Sequence, residues 1–233
     1  MEHLDVGLWL VIFLVVRHKE VNVTFQELRD EFIIKVQDTS KDIADRVDFF
    51  INEACRQIAD EEPLPDLLTL GSVDTVLSQA YVNMPTEFGG ELLYVGTASG
   101  EIPLQEGGLR GLLSVYNTLT NAGDVEVVAL KGNILWYQNI PDVVTTLTLL
   151  YYKTPTLLDS KTDIPSFIPE ALHYKLIVHK AAELAFNIIE DGIEENQKIN
   201  TLANRGIYKE AVGDLRRWKV RNRINLITSR MNN

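Results

Sequence analysis

Residues 143–152, VVTTLTLLYY, constrain the fold of this chain more than any other stretch. On a pleated strand Val143, Thr145, Leu147, Leu149 and Tyr151 share one face, and Val144, Thr146, Thr148, Leu150 and Tyr152 share the other. Both faces are apolar or β-branched, so the strand belongs in the middle of its sheet. A second strand-like run, Ile134–Tyr137, precedes it. Between them, Asn139-Ile140-Pro141-Asp142 reads as a corner, because Pro presets φ and Asn and Asp imitate turn hydrogen bonds with their side chains. Gly132–Pro155 is therefore expected to form a β-hairpin whose Asn139–Asp142 corner lies at an exposed end.

Helical periodicity surrounds this β signal. Thr24-Phe25-Gln26-Glu27 matches a capping box, with Thr24 as N-cap and Glu27 reaching back to it. Phe25, Leu28, Phe32 and Val36 then fall on one stripe. Thr39-Ser40 is positioned to cap a second helix that buries Ile43, Val47, Phe50, Ala54 and Ile58. Its acidic residues, with those of the first helix, form either a solvated face or a lining. Downstream, Pro169-Glu170 opens a long helix to about Asp191, with Tyr174, Val178, Ala181, Ala185 and Ile188 on an apolar stripe. His173, Lys180, Glu183, Asn187 and Glu190 form a narrow polar stripe opposite. A last helix, about 194–220, is expected to bury Ile199, Leu202, Ile207, Ala211, Leu215 and Trp218.

The block between the helical segments is punctuated by Gly, Asn and Pro. It predicts strands near 66–70, 76–82, 92–95, 125–130, 134–137 and 143–152, with a short helix at 109–119. The fold class is accordingly α+β: a helical bundle of two N-terminal and two C-terminal helices carrying an inserted antiparallel β subdomain. The expected division is an atypical N-terminal extension (1–20), a first helical part (21–65), the β-rich insertion (66–164), a second helical part (165–220) and a basic flexible tail (221–233).

Within the extension, Leu8–Val16 is an unbroken apolar run too short for a membrane-spanning helix of about 20 residues. It suits an interfacial anchor or a packed strand or helix. A natural start near Val21 or Val23 fits better, since the first clear folding signal is at Thr24. No membrane association is expected.

Charge is the one compositional clue to function. The net charge is −11, which argues against nucleic acid wrapped over the whole surface. Yet Arg205, Lys209, Arg216, Arg217, Lys219, Arg221, Arg223 and Arg230 crowd the C-terminal region against only Glu210 and Asp214. Arg216, Arg217, Trp218, Lys219, Arg221 and Arg223 have the chemistry to bind phosphates, with Trp218 stacking, or to dock on an acidic protein. Trp218 also continues the apolar stripe of the last helix, which favours packing.

Catalytic signatures are missing. Gly107-Gly108-Leu109-Arg110-Gly111 lacks the Lys-Ser/Thr pair of a phosphate loop. His179 and Glu183 lie one helical turn apart but have no third ligand in sight. The lone cysteine, Cys55, lies in a helical pattern and reads as buried and inert. No catalytic, cofactor-binding or metal-binding residue is named, and no cofactor is expected. Paired carboxylates of a glycan hydrolase or glycan-binding accessory in the β part stay open as an alternative.

Several stretches together resemble the head–tail adaptor (connector) proteins of tailed bacteriophages. They are Thr24–Leu28, Phe50-Ile51-Asn52-Glu53-Ala54, Val82-Asn83-Met84-Pro85, Gly132-Asn133-Ile134-Leu135, Pro141-Asp142, Tyr151–Pro155, Asp163-Ile164-Pro165 and Ile168-Pro169-Glu170. The likeness covers about residues 23–220. The family's usual aromatic after the second helix is replaced by Leu67-Leu68. The resemblance implies a non-enzymatic virion protein assembled in the host cytoplasm. It would be a twelve-subunit ring below the portal, capping the packaged head and offering a platform to tail or further neck proteins. Double-stranded DNA would pass through the lumen without sequence-specific binding. It further implies that the basic C-terminal residues dock on the portal protein and that Asn139, Ile140, Pro141 and Asp142 face the tail.

Overall fold

The computed structural model describes residues 23–37 and 41–231, with residues 41 and 222–231 described by their backbone alone. The apolar run Leu8–Val16 and the Thr39-Ser40 cap lie outside the described residues. No described helix is long and apolar enough to cross a membrane.

The first helix, α1 (Phe25–Val36), begins as its capping box requires. The Thr24 hydroxyl accepts the Glu27 amide, and the Glu27 carboxylate accepts the Thr24 amide at 2.7 Å. Two further first-turn amides, of Phe25 and Gln26, donate to the carbonyls of Asp163 and Lys161. The chain returning from the β region thus closes the start of α1. The next expected helix is broken: α2 (Lys41–Ala44) ends in a turn at Asp45-Arg46 before α3 (Val47–Glu61). Its expected stripe is buried nonetheless, and Cys55 is buried with it, its thiol pushed up to about 12 by desolvation.

The expected 169–191 helix is also subdivided. A 3-10 turn at Glu170–Leu172 leads into a π-helical turn at Tyr174–Val178, and only then into α5 (His179–Ile189). Leu176, Ile177 and Val178 are all fully buried. Three consecutive buried residues mean that the end of this segment is covered over more than one face, here by α1, α3 and α6 (Ile199–Met231), while Tyr174 and Lys175 at its start stay exposed. The last helix starts later than the sequence pattern indicates and runs past Val220 to Met231.

The β region forms two antiparallel sheets. The larger has the order β1-β7-β3-β4, from Leu68–Asp74, Thr146–Lys153, Phe88–Thr97 and Gly100–Glu101. The smaller has the order β2-β6-β5, from Tyr81–Asn83, Ile134–Tyr137 and Val128–Lys131. A short helix, α4 (Gly108–Tyr116), lies between β4 and β5. Strand β7 is central, as expected, with Leu147, Leu149 and Tyr151 fully buried on one face and Thr146 and Thr148 exposed on the other.

The hairpin expected over Gly132–Pro155 is absent: β6 and β7 belong to different sheets, and Val143 and Val144 are exposed. Strand β6 instead pairs with β5, across Gly132-Asn133, and with β2, while β7 pairs with β1 and β3, far away in sequence. Adjacent strand-like runs separated by Pro suit a hairpin or a crossing between sheets equally well; pairing register decides, and sequence alone does not hold it.

Two apolar cores result. One joins α1, α2, α3, α5 and α6 through residues such as Phe32, Phe50, Ile51, Ile58, Leu176 and Leu215. The other fills the β region around Leu135, Tyr137, Leu147 and Tyr151. Asn52 secures the chain at the join, donating to the Leu158 carbonyl at 3.0 Å and accepting the Leu158 amide at 2.8 Å. At the other join, the register of β3 on β7 shifts between Phe88 and Leu92. A Cβ at Gly89 would lie 2.8 Å from the Tyr152 carbonyl oxygen, a backbone atom that cannot swing away. Gly89→Ala is therefore expected to lower stability by about 1–3 kcal/mol in urea unfolding; an unchanged midpoint would contradict this close approach.

Candidate assembly surfaces

The α5–α6 interface is polar to an unusual degree. The stripe His173, Lys180, Glu183 and Glu190, which sequence periodicity sets opposite the apolar one, is buried, and Asn187 is half-buried. Each buried member has partners. His173 Nε2 donates to the Ile168 carbonyl at 2.8 Å, and burial holds its imidazole below the usual range. The Lys180 ammonium meets Glu61 at 3.0 Å and lies 4.7 Å from the centre of the Tyr208 ring. Tyr208 donates its hydroxyl to the other Glu61 oxygen at 2.6 Å. Glu183 accepts from Arg205 at 2.7 Å, and Arg205 also reaches Glu195.

Glu190 caps α6 from outside the helix. Its two oxygens accept the amides of Asn200 and Thr201 and the side chains of both, at 2.8–3.1 Å. These are orphan donors of a helix start, met by a negative charge where the helix dipole favours one. Burial alone would raise the Glu190 carboxyl; the Thr201 and Asn200 hydrogen bonds outweigh it and hold it below the usual range.

The buried face of α6 consequently differs from the expected one. Thr201, Asn204, Tyr208, Ala211, Val212 and Leu215 face inward. Ala211 and Leu215 fit the expected stripe, whereas Ile199, Leu202 and Ile207 are exposed. The apolar pattern misleads because the inner face is read by its hydrogen bonds and ion pairs, which hydrophobic periodicity does not register.

The basic cluster splits. Glu62, only 4% exposed, is clamped by Arg216 and Lys219, which fastens α6 to the end of α3. Burial pushes its carboxyl upward, but these two cations outweigh that and lower it. Trp218 is half-buried against the helical core, so its packing role is visible. Arg217 pairs with Asp214 one turn back, and Arg221 is exposed. The side chain of Arg223 lies outside the described ones.

The Asn139–Asp142 corner is tied down more than an open loop would be. Asn139 Nδ2 donates to the Asp124 carbonyl, Ile140 exchanges backbone hydrogen bonds with Asn121 and Gly123, and Pro141 is buried. Of the four residues only Asp142 is exposed.

His179 Nδ1 donates to Asn204 Oδ1 at 2.8 Å while Glu183 holds Arg205, so the two side chains are directed to different partners. Among the described residues no group of three or more His, Cys, Asp or Glu is placed to hold a metal ion. Clefts of about 220 and 260 Å³ flank the segment returning from the β region, lined in part by Glu53 and by Asp66 with Asp163. Glu53 is bound by Arg56 and lowered to about 2, and Asp163 is lowered by the amides of Asp159 and Ser160. A glycosidase acid needs a carboxyl raised toward neutrality. Glu53 and Asp163 are displaced the other way, so neither has the character of such an acid.

A family model described as SU10 adaptor protein matches residues 23–228. No curated protein matches the chain.

Proposed function

The chain belongs to the SU10 adaptor protein family, a family of phage head–tail adaptors, and from that premise we propose that it forms a ring below the portal and carries the tail. It is a structural virion component that associates with portal or tail proteins. The reading goes further: twelve copies close around a lumen through which duplex DNA slides, and the ring caps the filled head in the neck. The chain performs no catalysis.

The observation that carries this reading is the family match across both the helical and the β parts, residues 23–228. The construction of α6 is consistent with it. The helix is clamped to the body up to Lys219 and continues to Met231. Within the basic cluster, Arg216, Trp218 and Lys219 hold the helix in place, and Arg217 pairs within it. Arg221, Arg223 and the helical residues beyond them are then the part presented to the portal. Attachment through a terminal helix in each of several copies adds weak contacts into a firm joint. On this reading the chain divides into a helical body (21–65 and 165–220) and a β insertion (66–164), with the insertion, and Asp142 at its corner, directed toward the tail. The presence of two apolar cores supports it, although Leu67 and Leu158 pack into the helical one.

Electron microscopy of the purified full chain, alone and with heads lacking it, tests the reading. Rings at the portal vertex are expected. Density elsewhere on the particle, or none, would refute it.

A further inference from the structure

The outer face of α6 is left without a partner in the described subunit. Its inner face is spent on α5 and α3, while Ile199, Leu202, Ile207 and Val220 stand exposed, Ile199 by 75%. Their spacing places Ile199, Leu202 and Val220 on one side of the helix, with Lys209 and Arg217, both exposed, beside them. Arg217 pairs with Asp214 one turn back, Arg221 follows at the end of the described side chains, and these three cations stand against the acids Glu210 and Asp214. An aliphatic patch rimmed by charge is the composition of a protein interface, since a phosphate backbone has no use for the isoleucines.

A surface of opposite sign occurs on the same chain. The flank made by α1, α2 and the start of α3 exposes Ile33, Ile34 and Phe49 together with Asp30, Asp42, Asp45 and Asp48. Of its cations with described side chains, Arg29 is tied to Asp48, Arg46 lies 4.8 Å from the centre of the Phe49 ring, and Lys35 is half-buried in the last turn of α1. Pairing α6 with α6 of another copy would set a predominantly basic face against itself, and pairing the two flanks would oppose acids. Basic face against acidic flank avoids both, and two unlike complementary surfaces on one chain are what a head-to-tail ring contact needs.

We propose that the exposed face of α6 docks on the α1–α3 flank of the next copy, an inference that rests on the ring-forming reading above. The contact places Lys209 and Arg217 over Asp42 and Asp45, with the aliphatic side chains of α6 against Ile33, Ile34 and Phe49.

The test uses the full chain with two charge reversals, Lys209→Glu with Arg217→Glu, and Asp42→Lys with Asp45→Lys. Self-assembly is followed by sedimentation velocity and on heads lacking the protein. Each pair is expected to raise the concentration for half-assembly at least about tenfold. A chain carrying both pairs, or an equimolar mixture of the two variants, is expected to recover it. Wild-type assembly that either pair leaves unchanged, or that the combined reversals do not recover, overturns the contact but not the ring. A wild type that forms no oligomer in either setting overturns both. Loss of duplex DNA binding without loss of assembly would make the face a nucleic-acid surface instead, and overturn the contact. A photo-crosslinker at Ile199 in the otherwise unaltered chain is expected to capture residues 30–49 of another copy. Capture of residues 199–221 would show a symmetric contact and overturn this one.

Discussion

A chain ending at Arg221 is expected to fold normally and fail to join portal-bearing heads. Every described contact of α6 with the body lies before the cut. The inner face from Thr201 to Leu215 is intact, Trp218 still packs on the core, and Arg216 and Lys219 still hold Glu62. Stability measured by urea unfolding should therefore change by no more than about 0.5 kcal/mol. Head attachment, scored by co-sedimentation with heads lacking the protein, should fall to background. A cut after Arg217 separates the two roles. It removes Trp218 and Lys219 and leaves a nearly buried Glu62 with one cation, which should cost about 2–4 kcal/mol. If the chain ending at Arg221 binds heads as well as the intact chain, the terminal helix is not the attachment device.

The sequence already contained the helical core but not the way its last helix is held. Phe25, Leu28, Phe32 and Val36 follow α-helical spacing, and Thr24 and Glu27 are local capping signals, so α1 is legible within a short window. The central place of β7 agrees with the apolar and β-branched run of its sequence, although only the Leu147, Leu149 and Tyr151 face is fully buried and Thr146 and Thr148 stand exposed on the other. Its partners are not legible. Register with Leu68–Asp74 and Phe88–Thr97 depends on chain far away, and no spacing within residues 132–155 distinguishes a hairpin from a passage between sheets. The polar interface of α5 and α6 escapes a hydrophobic reading for a related reason. Lys180 and Glu183 have the sequence appearance of a solvated stripe, and become interior because Glu61 and the Tyr208 ring meet Lys180 and Arg205 meets one oxygen of Glu183. A signal did exist: Arg205, Arg216 and Lys219 recur along one chain segment with glutamates available at 61, 62 and 183. Composition alone does not say which of these bases point inward.

Glu190→Ala is expected to have the largest effect of any substitution on the polar stripe of α5. It removes the acceptor of four hydrogen bonds at the start of α6, two of them from backbone amides that have no helical partner of their own. Loss of a cap combined with loss of charge-assisted hydrogen bonds should cost about 2–4 kcal/mol at pH 7. Glu190→Gln should fall between the two, since its amide oxygen still accepts while its amide nitrogen confronts donors. The difference must also depend on pH. The folded-state value of Glu190 is lowered, so the native chain binds fewer protons here than the unfolded one. Its contribution is complete above the unfolded glutamate value of about 4.3 and disappears as pH falls through the lower folded value. Urea unfolding of wild type and Glu190→Ala at a series of pH values should therefore show a gap that is constant from pH 7 to about 5 and narrows with further acidification. A gap that persists undiminished well below the usual glutamate range would mean that the carboxylate's charge does not hold the helix. The start of α6 would then be secured by packing around Thr201 and Asn204, and the polar stripe of α5 would fill space without fixing where the last helix begins.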